Sequence, residues 1–139
     1  MRVLLIALLI PLQLYGDAFK PEYQVSLGFW TYHFNRKQGD CENHKLIGIG
    51  RDEYGIGTYI NSHCQRSYFL TVTRDFWRKG RHTVGWRSSL TTGYPPSMRL
   101  IGPFTPIPML RYTYQVNSIG VAIHSVPGIL VGAGYYIKF

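Results

Sequence analysis

Two short segments of the sequence hold most of the side chains that could carry out chemistry. They span 33–44 and 61–67 and contain His33, Cys41, His44, Asn61, Ser62, His63, Cys64, Arg66 and Ser67. In one interpretation, His33 is a general base and Ser62 is an acyl-accepting or acyl-positioning hydroxyl. A serine hydroxyl is a poor nucleophile until a nearby base takes its proton, so this interpretation requires the two segments to lie together.

The same residues allow two other interpretations. Cys41-x-x-His44 and His63-Cys64 could bind zinc, whose preferred ligands are sulfur and imidazole, although this spacing is not a common zinc signature. Alternatively, the residues are solvated loop positions plus a disulfide between Cys41 and Cys64, which an exported protein permits. The residues alone leave these interpretations open, and we expect neither a metal nor a cofactor.

The elements that would position both segments are short strands of alternating polarity. At the end of the chain, one face holds Ile129, Val131, Ala133, Tyr135, Ile137 and Phe139. At its beginning, one face holds Tyr23, Val25, Leu27 and Phe29. Such alternation is typical of a transmembrane β-barrel, in which one face meets lipid and the other meets the lumen.

Six further strands are predicted between these two. They lie near Lys45–Asp52, Tyr54–Asn61, Arg66–Thr73, His82–Thr92, Met109–Val116 and Ile119–Ser125. The fold class is therefore all-β, an eight-stranded antiparallel up-and-down β-barrel. Long outward loops at 35–44, 62–65, 93–108 and 126–128 would alternate with turns near 52–53, 75–81 and 117–118. A barrel of this size is filled by side chains or holds one small ligand. A soluble lipocalin-like barrel or a sandwich is the alternative.

The first residues predict export. Met1-Arg2 is followed by an apolar run from Val3 to Leu14 and by the small residues Gly16 and Ala18. This is the layout of a signal peptide, and the run is too short for a membrane-spanning helix. We predict a signal peptide over 1–18 and a barrel domain over 19–139. A buried N-terminal helix is the alternative.

Composition and charge favour a membrane surface over a soluble one. The chain has 11 tyrosines, 3 tryptophans and 15 glycines, and only 16% of its residues are charged. Membrane barrels carry aromatic rings at both interfaces, which explains such a bias. The net charge of +8 suits anionic lipid or lipopolysaccharide, or simply a solvated basic surface. Export makes nucleic acid an unsuitable partner.

From Phe29-Trp30-Thr31-Tyr32-His33-Phe34 onward, the sequence resembles the outer-membrane lipid A palmitoyltransferase family. The landmarks that follow in order are Asp40-Cys41-Glu42-Asn43 before Leu46-Ile47-Gly48-Ile49, Arg51-Asp52-Glu53, Asn61-Ser62, Thr91-Thr92-Gly93, Pro108 and Val126-Pro127-Gly128. The resemblance covers most of the mature chain in topology and landmarks rather than in identity.

The resemblance implies transfer of an acyl chain from a phospholipid to lipid A, with the chain held inside the barrel. The family's functional histidine corresponds to His33 and its serine to Ser62. Its aspartate corresponds to Asn61, which cannot stabilise an imidazolium as a carboxylate does. Its strand-interrupting prolines, which admit lipid laterally, correspond to Pro108 and Pro127.

Three cations complete the predicted site. Arg36, Lys37 and Arg66 could bind lipid A phosphates, because guanidinium groups suit that charge, or they could form a solvated rim. The leading hypothesis is a monomeric outer-membrane acyltransferase that acts on phospholipid and lipopolysaccharide. The alternatives are a non-catalytic envelope barrel and a soluble lipocalin-like carrier. Acyl donor, acceptor and bacterial or phage origin stay open.

Overall fold

A computed structural model describes residues 22–35 and 39–139. They form eight strands: β1 Tyr23–His33, β2 Ile47–Arg51, β3 Tyr54–Ile60, β4 Arg66–Lys79, β5 His82–Thr91, β6 Thr105–Val116, β7 Ile119–Val126 and β8 Leu130–Lys138. Each strand pairs antiparallel with the next, and β8 pairs with β1, so the barrel is closed. The predicted eight-stranded fold is confirmed and a sandwich is excluded. The predicted signal peptide lies outside the described residues.

Two strands are longer than the alternation predicted. β4 continues past Thr73 and pairs with β5 as far as Lys79↔His82, so the predicted turn at 75–81 shrinks to two residues. β6 begins at Thr105 rather than at Met109 and pairs with the end of β5. The loop between β5 and β6 contains a short 3-10 helix over Pro96–Met98. No described helix is long and apolar enough to cross a membrane.

A β-bulge at Gly28 divides β1 into two parts, and the odd-numbered residues of the two parts face opposite sides of the barrel wall. Leu27 pairs with Tyr135 and Phe29 pairs with Gly134, so Gly28 has no partner in the register. Gly28 has φ +65°, which glycine adopts without steric cost. The prediction that Phe29 shares a face with Leu27 was therefore wrong. Beyond the bulge, the odd-numbered residues of β1 turn into the barrel.

The outside of the barrel is apolar. Exposed aliphatic side chains lie along the middle of the strands, among them Leu27, Ile49, Ile56, Leu70, Leu110 and Ile123. Exposed aromatic rings lie near the loop end, at Trp30, Tyr32, Phe34, Tyr68 and Phe104, and near the turn end, at Tyr23, Tyr54, Phe76, Trp77, Tyr114 and Phe139. The outward face predicted for the last strand is confirmed, since Tyr135, Ile137 and Phe139 are all exposed.

The inside of the barrel is largely polar. The buried polar and charged side chains are Thr31, His44, Asn61, Ser67, Thr71, Ser89, Thr91, Thr105, Arg111, Thr113 and His124. Large inward rings are accommodated because a neighbouring strand offers glycine. Tyr136 packs against Gly120 and Phe69 packs against Gly57, where any Cβ would collide with the ring. The arrangement is the reverse of a soluble barrel with an apolar core.

Candidate functional site

The loop-end half of the lumen contains a mainly apolar cavity of about 90 Å³. Its apolar walls are Phe29, Leu46, Phe69, Ile107, Met109, Val126 and Leu130. Its polar walls are Thr31, His33, His44, Tyr59, Ser62, Thr71, Arg87, Ser89, Tyr94 and His124. The structure therefore brings two of the predicted catalytic residues, His33 and Ser62, to one cavity.

His33 reaches the cavity because of the bulge in β1. It ends β1 on the inner face, two residues after Thr31. Its Nδ1 atom is buried and makes no hydrogen bond within the described part of the chain. A buried polar atom without a partner costs free energy unless a ligand or water bonds to it. His33 is therefore available to a group that enters the cavity.

Ser62 is held by links between the two loop segments. Cys41 and Cys64 form a disulfide, and the backbone N–H of Cys41 donates to the carbonyl of Ser62 at 3.0 Å. The Ser62 side chain lies close to the Tyr94 hydroxyl, which also lies 3.2 Å from the hydroxyl of Tyr59. Burial raises the pKa of Tyr94, so its hydroxyl remains protonated at neutral pH.

Asn61 lies behind the wall of the cavity and not on it. Its Nδ2 donates to Ser67 Oγ at 3.0 Å and to the Gly93 carbonyl at 2.8 Å. Its Oδ1 accepts from the N–H groups of His63 and Gln65 at 2.9 and 3.0 Å. The carboxamide thus uses its full donor capacity, and a carboxylate could not donate to Gly93. These contacts tie the β3–β4 turn to the end of β5 and are not directed at His33.

Thr31 and His44 form a pair that sequence reasoning did not single out. Thr31 Oγ1 lies 2.6 Å from His44 Nε2, and both residues line the cavity. His44 belongs to the histidine-containing loop segment, so the sequence did contain half of the signal. Thr31 gave none, because only the bulge at Gly28 turns it inward.

The seam between β6 and β7 is open at the loop end. Paired residues run from Val116↔Ile119 only to Leu110↔Ser125, so the first part of β6 extends beyond β7. The backbone N–H of Gln115 donates to the carbonyl of Arg81, so this odd-numbered position of β6 points toward β5. By alternation, the even-numbered positions of β6 face β7, and Pro106 and Pro108 occupy two of them.

At these two positions a backbone N–H would point toward β7 and find no partner, because the pairing has already ended. Proline, which has no N–H, therefore costs no hydrogen bond there. Of the two prolines predicted to admit lipid laterally, Pro108 lies at this seam, paired with Ser88 of β5, whereas Pro127 lies in the β7–β8 turn. Ile107, Met109 and Val126 beside the seam line the cavity. The cavity wall is thus weakest where the two strands part.

The remaining predicted residues are less informative. Arg66 is exposed at the start of β4, whereas Arg36 and Lys37 lie outside the described residues. The disulfide removes both sulfurs from any zinc site, and the described residues contain no group of three or more potential ligands arranged for a metal. The zinc interpretation is therefore not supported by the arrangement of Cys41 and Cys64.

Comparison with known proteins adds no family assignment. No protein-family model matches the sequence, and a search of curated proteins finds no relative. Any function assigned to this barrel must therefore be argued from its own residues.

Proposed function

We propose that the chain is an outer-membrane acyltransferase that moves a fatty acyl chain from a phospholipid to lipid A. The observation that carries this proposal is an apolar cavity inside the barrel with bases and hydroxyls on its wall. His33 supplies the acid–base group, and Ser62 lies at the reacting ester. The unpartnered Nδ1 of His33 is the atom that would take or give a proton there.

The outer surface supports the membrane part of the proposal. A band of exposed aliphatic side chains with exposed aromatic rings toward both ends matches the surface that a barrel presents to lipid. An apolar surface of that extent around a soluble protein would aggregate. A lipocalin-like carrier, with its apolar residues inside, is accordingly the weakest of the three hypotheses.

The open seam supports an entry route for lipid. Pro106 and Pro108 leave the start of β6 without a complete ladder toward β7, and the cavity lies directly behind it. An acyl chain could therefore enter from the side while its headgroup remains at the interface. Direct entry through the loops would require desolvating a charged headgroup inside the barrel, which is costly.

The test is to express the protein in an outer membrane and to weigh lipid A by mass spectrometry. We expect the mass of one acyl chain to be added relative to an empty-vector control. His33→Ala should reduce the modified fraction by about 10²-fold or more, the usual effect of removing a general base. Thr113→Val, at a buried threonine of the turn-end half, is the matched control and should retain transfer. Unmodified lipid A in cells that contain folded protein would exclude the activity.

A second candidate is a non-catalytic barrel that alters the envelope. It is favoured by Asn61, whose side chain serves the loop structure and replaces the carboxylate expected from the family resemblance. This hypothesis predicts that His33→Ala and Ser62→Ala leave the envelope phenotype intact, whereas deletion within the loops abolishes it. Recovery from the periplasm without detergent would instead support the soluble carrier.

A further inference from the structure

The contact between Thr31 and His44 has the geometry of a nucleophile and its base. Thr31 Oγ1 and His44 Nε2 are 2.6 Å apart, within the range for an O–H···N hydrogen bond. Both side chains are buried, at 8% and 3% exposure, yet both line the cavity. The hydroxyl is thus shielded from bulk water but faces the space that an acyl chain would occupy.

The protonation state of His44 follows from its other ring nitrogen. Nδ1 lies 2.5 Å from the carbonyl oxygen of Ile60, which can only accept, so Nδ1 carries the hydrogen. In a neutral ring, Nε2 is then an acceptor and Thr31 donates to it. A third group that orients the base completes the arrangement seen in catalytic triads, here with a carbonyl as the orienting member.

The backbone holds both members of the pair in place. The backbone N–H of Thr31 donates to the backbone carbonyl of Glu42 at 3.0 Å. The backbone N–H of His44 donates to the carbonyl of Phe29 at 2.8 Å. The N–H of Ile60 donates to the His44 carbonyl at 2.7 Å. A catalytic pair must be positioned to within fractions of an ångström, and strand ladders provide that rigidity better than a free loop.

The surroundings of His44 keep it neutral at physiological pH. Burial lowers its pKa most, and the charge of nearby His33 lowers it further. The Ile60 carbonyl and Glu42 raise the pKa by less than burial lowers it. The rings of Tyr59 and Phe29 pack against the imidazole and exclude water. Nε2 is therefore unprotonated and able to receive the threonine proton.

We infer that Thr31 is the nucleophile, and His44 its general base, in a covalent acyl transfer on carboxylic esters; this rests on the proposed function. Thr31 Oγ1 bonds to the ester carbonyl carbon and its proton passes to His44 Nε2. The bond from that carbon to the lysophospholipid oxygen breaks, and this oxygen receives the proton from His44.

The second half-reaction reverses the first with a different alcohol. A lipid A hydroxyl bonds to the acyl carbon of the threonyl ester, and His44 Nε2 takes its proton. The bond to Thr31 Oγ1 breaks, and that oxygen recovers a proton from His44. In this scheme His44 takes the acid–base role that the proposed function gives to His33, and His33 and Ser62, on the same cavity wall, position the acceptor hydroxyl and the ester carbonyl. Ser62 is a poorer nucleophile here because the polar group close to its side chain, the Tyr94 hydroxyl, is not a base.

The experiment uses the purified full chain in detergent micelles with the 4-nitrophenyl ester of a medium-length fatty acid. Intact-protein mass spectrometry should show the addition of one acyl group, which hydroxylamine removes, and peptide mapping should place it on Thr31. Thr31→Ser should retain the label and Thr31→Val should lose it. His44→Gln should slow labelling by about 10²- to 10⁴-fold. Thr113→Val, a buried threonine at the other end of the lumen, is the matched control and should label normally.

The outcomes separate this inference from the proposed function. A label on Ser62 or another residue, or normal labelling of Thr31→Val, overturns the role of Thr31. If lipid A gains acyl mass in cells but the wild-type protein never becomes labelled, transfer is direct and the covalent step is wrong. If lipid A is unchanged and Thr31 is still labelled by the ester, the pair is real and the lipid A acceptor is wrong. Should Thr31→Val fail to fold, the mapped site and the Thr31→Ser variant still decide the question.

Discussion

The two halves of the barrel lumen differ in the way their polar groups are satisfied. At the loop end, hydroxyls, imidazoles and Arg87 line an apolar cavity, and His33 Nδ1 and His124 Nδ1 have no partner among the described residues. At the turn end, charged side chains pair with one another. Arg111 Nη1 lies 2.9 Å from Asp75 Oδ1 and Lys138 Nζ lies 2.8 Å from Glu22 Oε2, while Arg111 Nε makes no hydrogen bond to the described residues.

This difference indicates which half is built for stability and which for a ligand. Arg111 and Asp75 meet across Gly85, which pairs with both of them and has no side chain to separate them. Such pairs line the turn end, whose clefts of about 220 and 490 Å³ are bordered by charged side chains. The loop end has a smaller cavity with mainly apolar walls and an unpartnered base, which cost stability and have value only if something binds.

Removing the disulfide is expected to cause the largest loss of stability, and this loss should be confined to the loop end. Cys41→Ser/Cys64→Ser frees a loop with a sequence separation of 23 residues, so stability should fall by about 3 kcal/mol. Urea unfolding in micelles measures this loss, and acyl transfer should weaken because Ser62 is less well held. The wild-type protein under reducing agent is the control. An unchanged unfolding midpoint would show that the backbone bonds suffice.

Removing a charge at the turn end should have the next largest effect. Asp75→Asn leaves the buried Arg111 without its carboxylate, and we expect a loss of about 2 kcal/mol, reduced from the usual 3–5 because Asp75 is partly exposed. Acyl transfer should be unchanged, since the cavity lies in the other half. Asp75→Asn/Arg111→Gln should recover part of the stability in the same unfolding assay. Equal stability of all three proteins would contradict the division into two halves.

Filling the cavity should have the opposite effect: acyl transfer should fall strongly and stability only slightly. Met109→Trp places a larger side chain on the inner wall, so acyl transfer should fall by about tenfold or more while stability falls by only about 1 kcal/mol. Leu110→Trp, the next residue, faces outward and is the matched control. Lipid A mass and the unfolding midpoint measure the two effects. Transfer by Met109→Trp at the wild-type rate would place the acyl chain elsewhere.

Acid should produce the smallest change. The folded protein binds a proton at His44 less readily than the unfolded chain, so stability is full above pH 6.5 and falls as the pH drops below 6.5. The His44 contribution to this loss cannot exceed about 1.4 kcal/mol per pH unit. His44→Gln should flatten the pH dependence of the unfolding midpoint between pH 7.5 and 5. An identical slope in both proteins would show that another group titrates.

The strands could be predicted from the sequence because their alternation is a local property. Outward residues such as Tyr135 and Ile137 follow a strict period of two, which a pleated strand imposes. The strand ends were harder to predict. The prolines near the start of β6 suggested a loop, but their missing N–H groups face the open seam, so the strand tolerates both Pro106 and Pro108.

The candidate site was predicted only in part. The loop segments that contain His33 and Ser62 were recognisable from residue types, because barrel topology brings neighbouring loops to one rim. The position of Asn61 behind the wall could not be predicted, because it depends on the Gly93 carbonyl, which is 32 residues away in sequence. The pairing of Thr31 with His44 likewise depends on a contact across the β1–β2 connection.

What the sequence determined by itself is the barrel: the number of strands, their order and the apolar character of the outside all follow from local alternation. What only the tertiary structure decided is which residues of β1 face the cavity. One glycine with a positive φ changes the phase of the strand by one residue. Because side chains alternate with a period of two, that single step moves Thr31 and His33 from the outer face to the inner one.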